Sequence, residues 1–175
     1  MTEDLERKLF IAALFLSGKP LDMPILKKFL NPADLEGRLA TYVEDFNKQN
    51  NGIHIRMISG GFQIVASSEL SPILEQHFGE RTEQLSRGAL ETLSVIAYKQ
   101  PATKAEIEQI RGVDCSGSMR SLLDKNLIIS SGRKNVPGRP LIYITSKYFL
   151  EFFGLNDLSE LPSFREWQEL RTKDV

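Results

Sequence analysis

One succession of hydrophobic periodicities runs through this chain twice, which makes the fold a tandem of two small cores and not one large one. In the first copy, Asp4 to Ser17 reads as a helix, with Leu5, Leu9, Ala12, Ala13 and Leu16 on one face. Phe10, Ile11, Leu14 and Phe15 occupy much of the remainder, so this helix is apolar nearly all round and has more than one side to cover. Gly18-Lys19-Pro20 breaks it. Asp22 is placed to cap a short helix from Met23 to Leu30, and Asn31-Pro32 opens a third helix striped by Leu35, Leu39, Tyr42, Val43 and Phe46. Asn50-Asn51-Gly52 ends it. Period-2 alternation follows in Ile53, Ile55 and Met57, then in Phe62, Ile64 and Ala66, with Ser59-Gly60-Gly61 supplying the turn of a β-hairpin. A short helix near Leu70 to Phe78 closes the unit.

The second copy keeps the order. Ala89, Leu90, Leu93, Ile96 and Ala97 mark a helix that Gln100-Pro101 stops. Thr103 and Glu106 have the spacing of a capping box for the next helix, whose apolar side is Ile107 and Ile110. After Gly112 a third helix, about Cys115 to Lys125, carries Met119, Leu122 and Leu123 inward. Strands Ile128 to Ser131 and Leu141 to Thr145 flank a long loop, and Lys147 to Phe153 forms a last short helix. Three helices and a hairpin, repeated with Pro20 and Pro101 in corresponding places, is winged-helix order. The expected class is mostly α with small β-hairpins (α+β), as tandem winged-helix domains. Residues 1–79 form the first domain, 80–86 a polar linker, 87–162 the second domain and 163–175 a polar tail. Phe164, Trp167 and Leu170 recur in that tail at three-residue steps, a pattern that suits an amphipathic helix lying in a groove or folding back on its own domain.

Charge narrows the function. The net charge is -1, with 8 basic and 10 acidic residues through Gly79 and 14 and 13 from Glu80 onward. Neither half is a cation, so DNA contact is expected to be local, weak and salt-sensitive, or indirect. One local patch is the second hairpin loop, where Arg133, Lys134 and Arg139 stand without an acidic neighbour and could meet phosphates. The outer face of the third helix of that domain, Ser118, Arg120, Ser121, Asp124 and Lys125, lacks the Arg, Asn and Gln set that reads base edges. The longest apolar run, Leu9 to Leu16, is far short of the roughly 20 residues that cross a bilayer, so no membrane span is expected.

No catalytic constellation is present in the sequence. His54 and His77 have no ligand spacing to each other or to Cys115, so neither metal nor cofactor is expected. Gly112 to Met119 is not a Gly-x-Ser-x-Gly turn and follows no strand. Cys115 reads as a small residue near a helix start, and its being the only cysteine fits a reducing cytoplasm. Apolar surplus is the stronger signal. Phe10, Ile11, Leu14 and Phe15 on the first helix are expected to face a second copy of the chain. Tyr98, Tyr148 and Phe152 are expected to meet a protein partner, because Tyr148, Phe149, Phe152 and Phe153 are too many for one short helix to bury.

The run Leu85-Ser86-Arg87-Gly88-Ala89-Leu90-Glu91-Thr92-Leu93, continuing to Gln100-Pro101, resembles segregation and condensation protein B of bacteria. So do Ile110-Arg111-Gly112-Val113-Asp114, Gly138-Arg139-Pro140-Leu141-Ile142-Tyr143, Phe149-Leu150, Phe153-Gly154-Leu155 and Leu161-Pro162. Thr145-Ser146 stands where that family has paired threonines. The resemblance implies a non-enzymatic condensin subunit acting in chromosome condensation and segregation during cell division, in the cytoplasm at the nucleoid. It implies a homodimer through the first domains, and binding to a kleisin, segregation and condensation protein A, that bridges a structural-maintenance-of-chromosomes ATPase. The alternative left by the fold is a tandem winged-helix DNA-binding transcriptional regulator.

Overall fold

The computed structural model describes residues 2–78 and 85–163. They form two compact units: residues 2–78 with 154–163, and residues 85–153. The tail residues Phe164, Trp167 and Leu170 lie outside the described residues.

In the first unit, α1 (Glu3–Ser17) is capped by Thr2, carries Glu3, Asp4 and Glu6 in its first turn, and ends at Gly18 in the left-handed conformation. Pro20 leads directly into β1 (Leu21–Asp22). The Asp22 side chain accepts the Ile25 amide at 3.2 Å and so starts α2 (Met23–Leu26), which is shorter than the expected helix to Leu30. The third helix, α3 (Leu35–Asn47), begins three residues beyond Pro32. Strands β2 (Ile53–Ile58) and β3 (Gly61–Ala66) form an antiparallel hairpin, with β1 on the other side of β3. Ser59 and Gly60, at φ 54 and 76, make a two-residue turn whose positive φ values match the twist of the strands. Gly61 belongs to β3 and not to the turn. It faces Asp22, and a Cβ there would lie 2.9 Å from the Leu21 carbonyl carbon, so only glycine lets β1 approach this closely. The helix α4 (Ser71–Phe78) follows.

The second unit repeats the plan with α5 (Arg87–Lys99), β4 (Ala102–Thr103), α6 (Lys104–Arg111), α7 (Ser116–Asp124), β5 (Ile128–Arg133), β6 (Leu141–Thr145) and α8 (Lys147–Phe153). The sheet orders β1-β3-β2 and β4-β6-β5 are the same, and Pro20 and Pro101 each stand immediately before the short first strand. The chain is therefore a pair of winged-helix units. The capping box on α6 is complete: the Thr103 hydroxyl accepts the Glu106 amide at 3.3 Å, and the Glu106 carboxylate accepts the Thr103 amide at 2.8 Å. Ser146 caps α8 by accepting the Phe149 amide at 3.1 Å.

Two boundaries differ from expectation. Leu85 and Ser86 are not linker, because Ser86 caps α5 by accepting the Ala89 amide at 3.2 Å. Residues 154–163 belong with the first unit and not the second, held by the Ser59 amide donating to the Leu155 carbonyl at 2.9 Å and the Gly60 amide donating to Asn156 Oδ1 at 3.1 Å. Turn amides at a hairpin tip have no strand partner, so they can take acceptors from distant chain.

Each core is small and tied by one polar clasp. In the first unit, Phe10, Leu14, Leu26, Leu30, Leu35, Leu39, Tyr42 and Ile55 pack together. Burying each large side chain contributes about 1.5–3 kcal/mol. Glu6 is also buried, and its carboxylate takes Arg38 in a forked pair, Nε to Oε2 and Nη2 to Oε1, both at 3.1 Å. The Asn31 amide at 3.0 Å and the Tyr42 hydroxyl at 3.4 Å fill its remaining acceptor sites. Burial alone would raise the Glu6 pKa. The hydrogen bonds from Arg38 and Asn31, with the guanidinium charge, outweigh burial and hold it below the ordinary value. In the second unit, Arg111 does the joining. It donates to the Gly88 carbonyl at 3.0 Å and to the Thr92 hydroxyl, and pairs with Glu91 at 2.7 Å, fastening the end of α6 to α5.

Glu6→Ala strips the partly buried Arg38 guanidinium of its counter-charge and should cost about 2 kcal/mol, less than for a fully buried pair because Arg38 keeps some solvent. The Glu6 pKa is depressed on folding, so its contribution is full above pH 4.5 and is lost as pH falls through the folded value. In urea unfolding, the gap between wild type and Glu6→Gln should be widest near neutrality and close under acid; a pH-independent gap contradicts the clasp. Gly61→Ala should lower stability by about 1–3 kcal/mol in thermal melts, and an unchanged melting temperature contradicts the close β1 approach.

Candidate functional site

The first helix sorts its apolar residues in the opposite sense to the sequence expectation. Phe10 and Leu14 are 0% and 1% exposed and form the core side of α1 with Glu6. They are not available to a second copy, and their assignment to an outward face is corrected. Ile11 is partly buried against the same core, and Phe15 alone of the four is open, at 75% exposed. The other apolar face is the one that turns out: Leu5, Leu9 and Leu16 are 55%, 38% and 81% exposed, and Ala12 lies exposed among them. At spacings of four, three and four residues these side chains line one stripe of the helix. The reason is polar. Glu6 is held inside by Arg38, Asn31 and Tyr42, and in a helix residues 10 and 14 follow residue 6 on the same face.

In the second unit the aromatic surplus of α8 is real but divided. Phe149 is buried, while Tyr148, Phe152 and Phe153 remain 40–47% exposed. The rings stack on one another: Tyr148 and Phe152 at 6.1 Å, Phe152 and Phe153 edge-on at 5.1 Å, Phe149 and Phe153 at 4.9 Å. Mutual packing holds Tyr148 and Phe152 in place without covering them. They form one wall of a cleft of about 400 Å³ whose other residues are Leu85, Asp124, Lys125, Asn126 and Leu127. A lining of apolar side chains with a few polar ones suits a side chain or short segment of another polypeptide. Tyr98, on the last turn of α5, is 54% exposed and is not among the cleft's lining residues.

Of the residues lining this cleft, the sequence singled out Tyr148 and Phe152 and not Leu85, Asn126 and Leu127. Leu85 was hidden in an apparent linker. Asn126 adopts φ 55 at the end of α7 and so carries the chain into β5, placing buried Leu127 beneath the cleft; an Asn after a helix was the only signal.

The remaining candidates lie apart from the stripe and the cleft. Cys115 is fully buried; its amide donates to Glu108 at 3.0 Å and its thiol to the Val113 carbonyl at 3.4 Å. His54 lies on β2 and His77 in the last turn of α4, on separate elements. Among the described residues, no three His, Cys, Asp or Glu side chains converge, and no helix is long and apolar enough to cross a membrane. On the second wing, the Lys134 ammonium is paired with Glu106 of α6. That contact, with the Thr103 hydrogen bonds, lowers the Glu106 pKa to about 2.

The sequence model of the segregation and condensation complex subunit ScpB matches residues 8–164. Segregation and condensation protein B of Moorella thermoacetica is 40% identical over 155 residues, covering 87% of this chain and 80% of that protein. Its counterpart in Syntrophotalea carbinolica is 41% identical over 161 residues, covering 91% and 82%. Among solved structures, ScpB from Mycobacterium tuberculosis is similar at 29% identity and a TM-score of 0.40, over 89% of this chain and 98% of that one. A match spanning both winged-helix units, with relatives alike over most of both sequences, means that the chain belongs to the ScpB family of segregation and condensation complex subunits.

Proposed function

We propose that this chain is a non-enzymatic subunit of the bacterial structural-maintenance-of-chromosomes complex. It pairs with a second copy through its first unit and grips the kleisin subunit with its second, in the cytoplasm at the nucleoid. Family membership supplies the process. The observation that carries the mechanism is the position of the surplus apolar groups: one stripe on α1 and one aromatic-walled cleft beside α8.

The self-association surface is the outward stripe Leu5, Leu9, Ala12 and Leu16 with Phe15, in place of Phe10 and Leu14. A stripe facing its own copy across a two-fold axis is self-complementary, so one helix suffices to make the contact. The kleisin surface is the cleft, with Tyr148 and Phe152 as anchors and Asp124 and Lys125 as charged lining residues. Tyr98 is a second contact outside the cleft. Half-exposed aromatics held by neighbouring rings lose little side-chain freedom on binding, which favours them as anchors.

Alanine in place of Tyr148 or Phe152 should weaken kleisin binding about tenfold or more by calorimetric titration. Tyr98→Ala should have a smaller effect. Both anchors are partly exposed, so circular dichroism should show an intact fold. Unchanged affinity in all three variants removes the assignment.

A further inference from the structure

The near-neutral chain hides a charge asymmetry that only the unit boundaries expose. Residues 85–153 carry ten Lys and Arg against six Asp and Glu, a formal +4. Residues 2–78 and 154–163 carry eight against twelve, a formal -4. The balance expected for the second half arose because the acidic residues of 80–84 and 154–175 were counted with it. The second unit taken by itself is a cation, and a compact unit of positive charge attracts polyanions.

Within it, the wing between β5 and β6 concentrates the effect. Every residue from Ile129 to Arg139 is exposed, and the loop contains no carboxylate. Val136 to Arg139 form a turn closed by the Arg139 amide donating to the Val136 carbonyl at 2.9 Å, with Gly138 at φ 83. Arg139 itself sits at φ 40, which a side chain with a Cβ adopts at a cost. In that conformation its carbonyl accepts Arg133 Nη1 at 2.9 Å. The wing thus tethers one arginine side chain to the backbone of another, against their mutual repulsion. Among the described residues neither Arg133 nor Arg139 has a carboxylate partner, whereas Lys134 is paired to Glu106.

We infer that the second wing is a docking strip for the phosphate backbone of duplex DNA, with Arg133 and Arg139 as its contacts and Lys134 withheld by Glu106. Guanidinium forks match phosphate oxygens. An acidic polypeptide is the poorer fit, because with Ile129 to Arg139 all exposed the loop supplies no buried side chain to anchor one. The contact is independent of base sequence, since the outer face of α7 presents Ser118, Arg120, Ser121, Asp124 and Lys125 and not a base-reading set. Two phosphate contacts give an affinity that falls about tenfold between 50 and 200 mM salt, so the strip serves as a weak, mobile hold on DNA.

The test is fluorescence anisotropy of the full chain with a labelled duplex across salt concentrations. The expected result is binding at about 50 mM salt, equal for duplexes of scrambled sequence. The slope of log affinity against log salt should shrink by about 1.8 in Arg133→Ala/Arg139→Ala. It should steepen by about 0.9 in Glu106→Gln, which frees Lys134 while glutamine still completes the capping box. Melting curves confirm that the variants stay folded. Absence of binding at low salt, a slope unchanged by the double substitution, or equal competition by poly-glutamate overturns the inference.

Discussion

A winged-helix unit of fewer than ninety described residues has one core, and a helix entering it can bury only one side. That geometric constraint governs α1. The forked Glu6–Arg38 pair decides which side goes in, because a buried carboxylate held by a partly buried guanidinium fixes the rotation of the helix about its own axis. Phe10 and Leu14 follow it inward. Leu5, Leu9, Ala12 and Leu16 are then left outside, whatever their hydrophobicity. A buried ion pair is a modest source of stability. Its larger effect here is to specify which apolar face is surplus and hence available to another molecule.

The order of elements was legible in the sequence because it depends on local signals: periodicity, Pro20 and Pro101, the Thr103–Glu106 box and the Ser59-Gly60 turn. The two faces of α1 were legible as sets. Their sense was not, because choosing between two apolar faces required knowing that Glu6 meets Arg38, thirty-two positions away. The return of residues 154–163 to the first hairpin was illegible for the same reason: two hydrogen bonds to a turn leave no periodic trace. The exposure of Tyr148 and Phe152 was legible because four aromatics on one short helix exceed what it can bury. The cleft they line depends on Leu85, Asn126 and Leu127, which share no pattern in sequence.

Charge gave the opposite lesson. Counting along the chain averaged two oppositely charged units to near zero. The wing looked like three equivalent cations, yet Glu106 sits on α6 and pairs with Lys134 across the fold. The same carboxylate completes the cap of α6, so one residue both starts a helix and adjusts the charge presented by the wing. The two units divide the labour accordingly: the acidic unit offers an apolar stripe, and the basic unit offers an aromatic cleft with a cationic loop.

The central claim is that the outward stripe of α1 is covered by another copy. Size-exclusion chromatography with light scattering, on the wild-type chain and on Leu9→Glu/Leu16→Glu, tests it most directly. The wild type should elute at twice the chain mass and the variant at the single-chain mass, with the same circular dichroism. A wild-type chain that stays at single mass as concentration rises, or a variant that still dimerises, would contradict the account.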